Sequence, residues 1–520
     1  MSFINIYTNN LSRELSNSTT YVDNWVYVPG TAITGDYTKV YPITSLQDFK
    51  DTFGTRSPEG SLTYEYVAGL LSAGLPVLFR RIACTGQDTP AQTLGVTKAK
   101  TVITHEDNET QAQVNDVTIT DKFGGTFGND LRITIRKTDT AYWLDVYLKY
   151  TLLEKQKLIT LNSSDDQNAI NEKLIKALQT VQFDRIDVTV DNTDPAKFVL
   201  SSDVTLQALT GGTDFDEAKV VDELPETYKM IQDKILYQPK FITSGGYTDK
   251  DITTEHPIAD AMKNLTLQRQ DCRAIIDLPI GVDKNEQQDL AKLVGYSQNS
   301  NTEVIPSASM YAPWQYMQVG TEQLWMPPSY AFLTVVGRDV SSGGNAYTPK
   351  AGLSTGRVTN IIRPEFDIGA DLCDKWQSDT KVNINPIMKI QSGNYIINGN
   401  STLLIPDTDG DVDNAFEESS ADLTIIEIRR FVYNLATELQ YQYNSDEAFE
   451  TFSLRTAKFL NQMMSEGSLT DYDITNISSS SEPRKLKIKL DIYLTPTIKE
   501  IEIYLNVSYG SIEVSVGGEA

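Results

Sequence analysis

The sequence predicts a multidomain chain of mixed class, α/β and α+β, and three observations carry that prediction. Strand-like and helix-like hydrophobic periods alternate near the start and again through the middle of the chain. A block between residues 97 and 210 is mostly strand-like, as an inserted β-rich domain would be. The chain has 520 residues, room for roughly three or four domains, and is 40% hydrophobic, enough for ordinary cores.

At the start, Phe3, Ile4, Ile6 and Tyr7 form a strand-like run around Asn5, and a polar stretch from Thr8 to Thr20 follows. A strand on a tether pairs either within its own domain or with another chain. Trp25–Val28 is a buried strand ending at Pro29-Gly30, and Ser45 with Asp48 caps a short helix bearing Phe49 and Phe53. A helix over Leu62–Leu71 stops at Gly74, and a strand over Leu75–Ile82 completes a βαβ-like unit.

In the β-rich block, strands are predicted at Val117–Thr120, Leu131–Arg136, Trp143–Tyr150, Leu158–Leu161 and Ile186–Val190. One helix, Asp165–Leu178, has Ser164 as N-cap and Gln167 at the capping-box position. Gly124–Asn129 lacks the Lys-Ser/Thr ending of a phosphate-binding loop and opens no helix, so it is a turn. Gly211-Gly212 marks the return to α/β material, with strands at Lys240–Thr243, Arg273–Leu278 and Thr302–Ile305. Helices are predicted near 217–235, 257–268, 284–297 and 329–337, and Ser341–Asn345 is a boundary.

The last block holds the strongest helical signal. Ile428, Phe431, Val432, Leu435, Ala436 and Leu439 fall on one face; Phe449, Phe452, Phe459, Leu460 and Met463 follow on a second, closed by Gly467. Two such helices across a short polar loop form a hairpin. In this register Arg429 and Arg430 point away from the apolar stripe, toward solvent or a partner. Beyond the hairpin, 485–494 and 498–507 alternate with period 2, the first with a basic polar face and the second acidic. They either pair with each other or the last strand is donated to a neighbouring copy.

Composition narrows the function. The net charge is −25, from 45 basic against 70 acidic residues, which excludes nucleic acid as the principal partner. Three scattered cysteines, Cys84, Cys272 and Cys373, make neither a disulfide framework nor a thiolate metal site. The N-terminus has no secretory signal pattern, and no apolar run is long enough for a transmembrane helix, so no membrane insertion is expected. His105 and His256 lack a nucleophile or ligand partner at a recognisable spacing, so no catalytic residue and no cofactor is predicted. Asp407, Asp409, Asp411 and Asp413 alternate as calcium ligands would, but Val412 stands where a calcium loop needs glycine. A solvated acidic turn is the stronger reading.

Several segments fall, in order, onto one family. These are Tyr41–Phe49 with Phe53-Gly54, Leu62–Ile82 ending Phe79-Arg80-Arg81-Ile82, Gly125-Thr-Phe-Gly-Asn129, and Leu209-Thr-Gly-Gly-Thr-Asp214. Cys272–Pro279, Pro327-Pro-Ser329, Gly337-Arg-Asp339, Pro349-Lys-Ala-Gly352, Val382-Asn383, Ile405 and the Arg429-Arg430 helix with its partner continue the series. In this order the chain resembles the contractile tail sheath proteins of bacteriophages. The resemblance implies a non-enzymatic subunit of a virion tail, synthesised in the host bacterial cytoplasm. It implies copies stacked as hexameric rings around a tail tube protein, bounded by baseplate and tail terminator proteins.

It also implies a division of the chain: an N-terminal arm (1–22), a discontinuous α/β middle domain (23–96 and 211–345) and an outer inserted domain (97–210). A C-terminal α+β domain facing the tube (346–497) and a C-terminal arm (498–520) complete it. The arms would complete a sheet in neighbouring copies through Phe3, Ile4, Ile6 and Tyr7 and through Ile501, Ile503, Leu505 and Val507. Arg429 and Arg430 would meet the tube or a neighbour. A sheath from a non-phage contractile injection system fits the same residues; a β-rich tail adhesin fits less well, because no repeats are visible.

Overall fold

A computed structural model describes residues 24–83, 96–107, 112–201, 204–216, 219–252, 255–281, 293, 296, 307–377, 382–404, 415–479, 481–482 and 484–498. At its centre is a nine-stranded sheet. Six strands run parallel in the spatial order Val77–Arg81, Val26–Gly30, Phe241–Ile242, Arg273–Asp277, Ala308–Ala312, Ile384–Lys389. Antiparallel strands close both ends: Tyr41–Ile43 on one, Tyr395–Ile397 and Arg357–Val358 on the other. Strands from both sides of residue 345 therefore share one sheet.

The central strands are buried on both faces, which is why they read as unbroken apolar runs rather than alternating ones. Their side chains split between two cores. Val26 and Val28 join helices Thr63–Ser72 and Pro328–Ser341 and the C-terminal helical hairpin on one side. Tyr27, Ile276 and Met310 join helices Val220–Lys229, Pro257–Arg269 and Ala370–Gln377 on the other. The result is a three-layer α/β/α body.

Residues 97–210 build a separate unit with its own core, including Leu131, Ile133, Leu144, Val146 and Leu174. A four-stranded antiparallel sheet (131–137, 141–148, 151–160, 207–208) and a three-stranded one (100–106, 113–121, 186–190) enclose helix Gln167–Thr180. The N-cap is Asp166, whose side chain accepts from Ala169 N, rather than Ser164. The predicted strand Trp143–Tyr150 ends at Leu148, because the chain turns through Lys149 at φ 54°. That turn carries neither glycine nor proline, so it left no mark in the sequence.

Three of the recognised segments meet at the joint between this unit and the body. The Arg81 guanidinium, fully buried, donates to the carbonyls of Ala32, Gly35, Phe123 and Gly124 at 2.6–3.1 Å. Asp214 accepts from Thr126 N and Oγ1, both at 2.7 Å, and Asn129 and Gly212 exchange two further bonds. A Cβ on Gly125 would lie 2.2 Å from Ile33 O, so only glycine lets the turn come this close.

The predicted strand Thr302–Ile305 and most of the helix 284–297 lie outside the described residues. The hairpin is present as helices Ser419–Leu439 and Asp446–Ser465, with Gly467 at φ 84° beyond the second.

Candidate assembly surface

The long helix Ser419–Leu439 is seated by both of its sides. Leu423, Ile426 and Ile428 enter the core, and Phe431 stacks on Phe459 of the second helix with ring centroids 4.1 Å apart. Its polar side lies over the beginnings of three central strands. Arg273 Nη1 donates to Ser419 O at 2.7 Å and to Asp422 Oδ2 at 3.2 Å, and Ser307 Oγ donates to Asp422 Oδ1 at 2.8 Å. Lys240 Nζ pairs with Glu427 at 2.5 Å, both side chains 8% exposed.

Arg429 and Arg430 belong to this seam, and the expectation that they face outward is corrected. They are 5% and 9% exposed; Arg429 Nη1 donates to Gln270 O at 3.2 Å and Arg430 Nη2 to Gln238 O at 2.6 Å. The apolar stripe was read as the only buried face, whereas this helix is covered on its polar side too. Burial pushes the Arg429 and Arg273 guanidinium groups down from the usual arginine range, against nearby Asp422 in both cases. Buried charges are tolerable when paired or hydrogen-bonded: Arg273 and Lys240 meet Asp422 and Glu427, and Arg429 and Arg430 donate to backbone carbonyls.

After the hairpin, Leu469–Asn476 pairs antiparallel with Ile488–Leu494. The first of these strands was not predicted, although its period-2 pattern of Tyr472 and Ile474 between aspartates was available. Among the described residues the two strands form a sheet of two, with mostly half-exposed or exposed side chains. Two strands alone are marginal in water, and among the described residues the outer edge of each has no partner strand. Thr497 N donates to the Glu418 carboxylate at 3.2 and 3.3 Å, tying the end of this segment to the start of the long helix. The arm residues Phe3, Ile4, Ile6, Tyr7, Ile501, Ile503, Leu505 and Val507 lie outside the described residues, as do Asp407, Asp409, Asp411 and Asp413.

The body has the strand order of a doubly wound fold, whose ligand crevice opens between strands 26–30 and 241–242 at their carboxyl ends. Here that space is filled. Thr31 Oγ1 lies 2.9 Å from Ser61 Oγ and 3.1 Å from Tyr247 Oη, and Thr31 N donates to Thr63 Oγ1. Cβ atoms on Gly30 and Gly245 would lie 2.5 Å from Thr63 and 2.2 Å from Pro29 O. The two histidines serve structure: His105 Nδ1 lies 2.5 Å from Asp116 Oδ2, and His256 packs edge-on against Tyr296. Among the described residues no group of three or more His, Cys, Asp or Glu is placed to hold a metal ion.

No protein-family model matches the chain, and no curated protein matches it. Solved structures do. A sheath tail protein from Listeria innocua superposes with a TM-score of 0.60 at 11% identity, over 92% of this chain and 96% of that one. A sheath tail protein from Desulfitobacterium hafniense gives 0.53 at 12% identity, over 92% and 99%. A chain of the PVC sheath complex of an extracellular contractile injection system, in its contracted state, gives 0.51 at 11%, over 98% of each chain. This chain therefore has the sheath protein fold.

Proposed function

We propose that this chain, built on the sheath fold, is the non-enzymatic structural subunit of a contractile sheath. Copies polymerise around a tail tube in a metastable extended state. Contraction drives the tube through the host envelope during genome delivery. The observation that carries the reading is extent: the likeness takes in 92% of this chain and 96% of the Listeria sheath tail protein, a whole subunit rather than a shared domain. The filled crevice of the doubly wound sheet supports a device whose work is stored in packing and needs no nucleotide.

The open sheet of 469–476 and 488–494 is the acceptor for strands donated by neighbouring copies. Donation satisfies backbone groups at bare edges and tethers copies while other contacts rearrange. The residues named for it are Phe3, Ile4, Ile6 and Tyr7 at one end and Ile501, Ile503, Leu505 and Val507 at the other. Tail tube, baseplate and terminator proteins are the expected partners. The likeness to the sheath of an extracellular contractile injection system supports a second reading, a sheath of that non-phage kind; capsid genes beside the gene for this chain would separate the two.

The test is negative-stain electron microscopy of the purified chain with and without residues 498–520. The intact chain is expected to form hollow tubes, and the truncation to stay monomeric with an unchanged melting temperature. An intact chain that forms no tubes even when mixed with its tail tube overturns the sheath reading. A truncation that still forms tubes overturns the donated C-terminal strand.

A further inference from the structure

The small antiparallel sheet of Gln315–Val319, Glu322–Met326 and Ile361–Pro364 carries a feature the fold does not use. Arg363 is exposed, and its guanidinium carbon sits 5.1 Å from the Tyr316 ring centroid and 4.8 Å from that of Trp325. The two rings lie 5.3 Å apart, tilted at 53°. Cross-strand register places them there: Tyr316 stands opposite Trp325 on one side and Arg363 on the other. Two aromatic rings hold the guanidinium in one orientation, so little side-chain entropy is left to lose on binding.

The chain has a surplus of 25 acidic residues, and several exposed cations pair with one, as Lys173 does with Asp165 and Lys229 with Glu226. Arg363 makes no ion pair with any described residue. A rigid, unpaired arginine flanked by tryptophan and tyrosine is the composition of an interface anchor.

We propose that Tyr316, Trp325 and Arg363 are an inter-subunit anchor that receives a carboxylate from the acidic surface of a second copy of this chain. Charge complementarity selects the occupant: each copy carries a net −25, so a fixed cation left unpaired in one copy meets an excess of carboxylates on the next. A second copy does not bury its own Arg363 to do so; the contact is head-to-tail, the kind that extends into rings and helices rather than closing as a dimer. The proposal rests on the sheath reading, which supplies the copies.

The experiment compares wild type, Arg363→Glu and Arg363→Lys as full-length chains. The critical concentration for tube formation is read by sedimentation at one ionic strength, and folding by melting temperature. Arg363→Glu is expected to raise the critical concentration by about tenfold or more at unchanged melting temperature, with Arg363→Lys in between. An Arg363→Glu chain that assembles at the wild-type concentration overturns the anchor and leaves the sheath reading standing. Wild type that never assembles, even when mixed with its tail tube, brings down both. If Arg363→Glu assembles normally but no longer retains its tail tube, the occupant is the tube and the second-copy assignment is wrong.

Discussion

At the scale of single residues the chain places charge where solvent does not reach, and each instance has a measurable consequence. Asp277 accepts from Ser329 N at 2.6 Å and Ser329 Oγ at 2.7 Å, capping helix Pro328–Ser341 from the end of a central strand. Burial pushes its carboxyl up to about 7, against those two hydrogen bonds. A raised carboxyl pKa means the folded state holds a proton that the unfolded chain has released. The stability this group contributes is therefore present at low pH and falls as pH rises from about 4 to 7, at up to about 1.4 kcal/mol per unit. Asp277→Asn keeps an acceptor for Ser329 N and removes the titration. The difference in unfolding free energy between wild type and variant should change across that window and be flat above it; a constant difference would show that Asp277 is already ionised in the fold. Arg273 and Asp422 give a second case. Removing one partner leaves a buried charge, so Arg273→Met is expected to lose about 3–5 kcal/mol, and the double variant Arg273→Met, Asp422→Leu less than Arg273→Met and Asp422→Leu added together. Denaturant unfolding of wild type and these three variants measures it.

Elements show which parts of the architecture sequence patterns carry and which they do not. Ser45 caps its helix through Asp48 N at 3.1 Å as the spacing predicted, because a cap is a contact within one turn. The hairpin was legible for the same reason: period and a terminal glycine are local. Arg429 and Arg430 were placed wrongly because their surroundings come from Gln270 and Gln238, far away in the chain. The strands at 315–319, 322–326 and 361–364 went unread, and with them the Tyr316–Arg363–Trp325 cluster, which exists only through their register. The joint of the inserted unit falls between these cases: its motifs were visible, but their meeting at Arg81 was not. Four carbonyls facing one buried guanidinium need its fork, so Arg81→Lys should loosen the joint while leaving both cores intact. Amide hydrogen exchange at Gly125, Thr126 and Phe127, whose N–H groups bond to Thr97 O, Asp214 and Ile33 O, is expected to quicken. Unchanged protection there would mean the Asp214 and Asn129 bonds hold the joint without Arg81.

For the whole molecule, the competition is between like charge and specific contact. Copies carrying −25 repel one another over a Debye length of about 30 Å at 10 mM salt, which shrinks to about 8 Å at 150 mM. An anchor such as Arg363 acts at contact distance, where its carboxylate is partly desolvated and salt screens it less. Strands donated as proposed would be held by backbone hydrogen bonds and depend on salt less still. Long-range repulsion is thus the component that salt removes first. The critical concentration for tubes should fall between about 10 and 150 mM salt and then level off, when followed by light scattering at constant pH. A critical concentration that instead rises steadily from the lowest salt would mean that attractive charge pairs, not strand donation and apolar burial, hold the copies together. The donated-strand account of the arms would then give way to an assembly built mainly on contacts of the Arg363 kind.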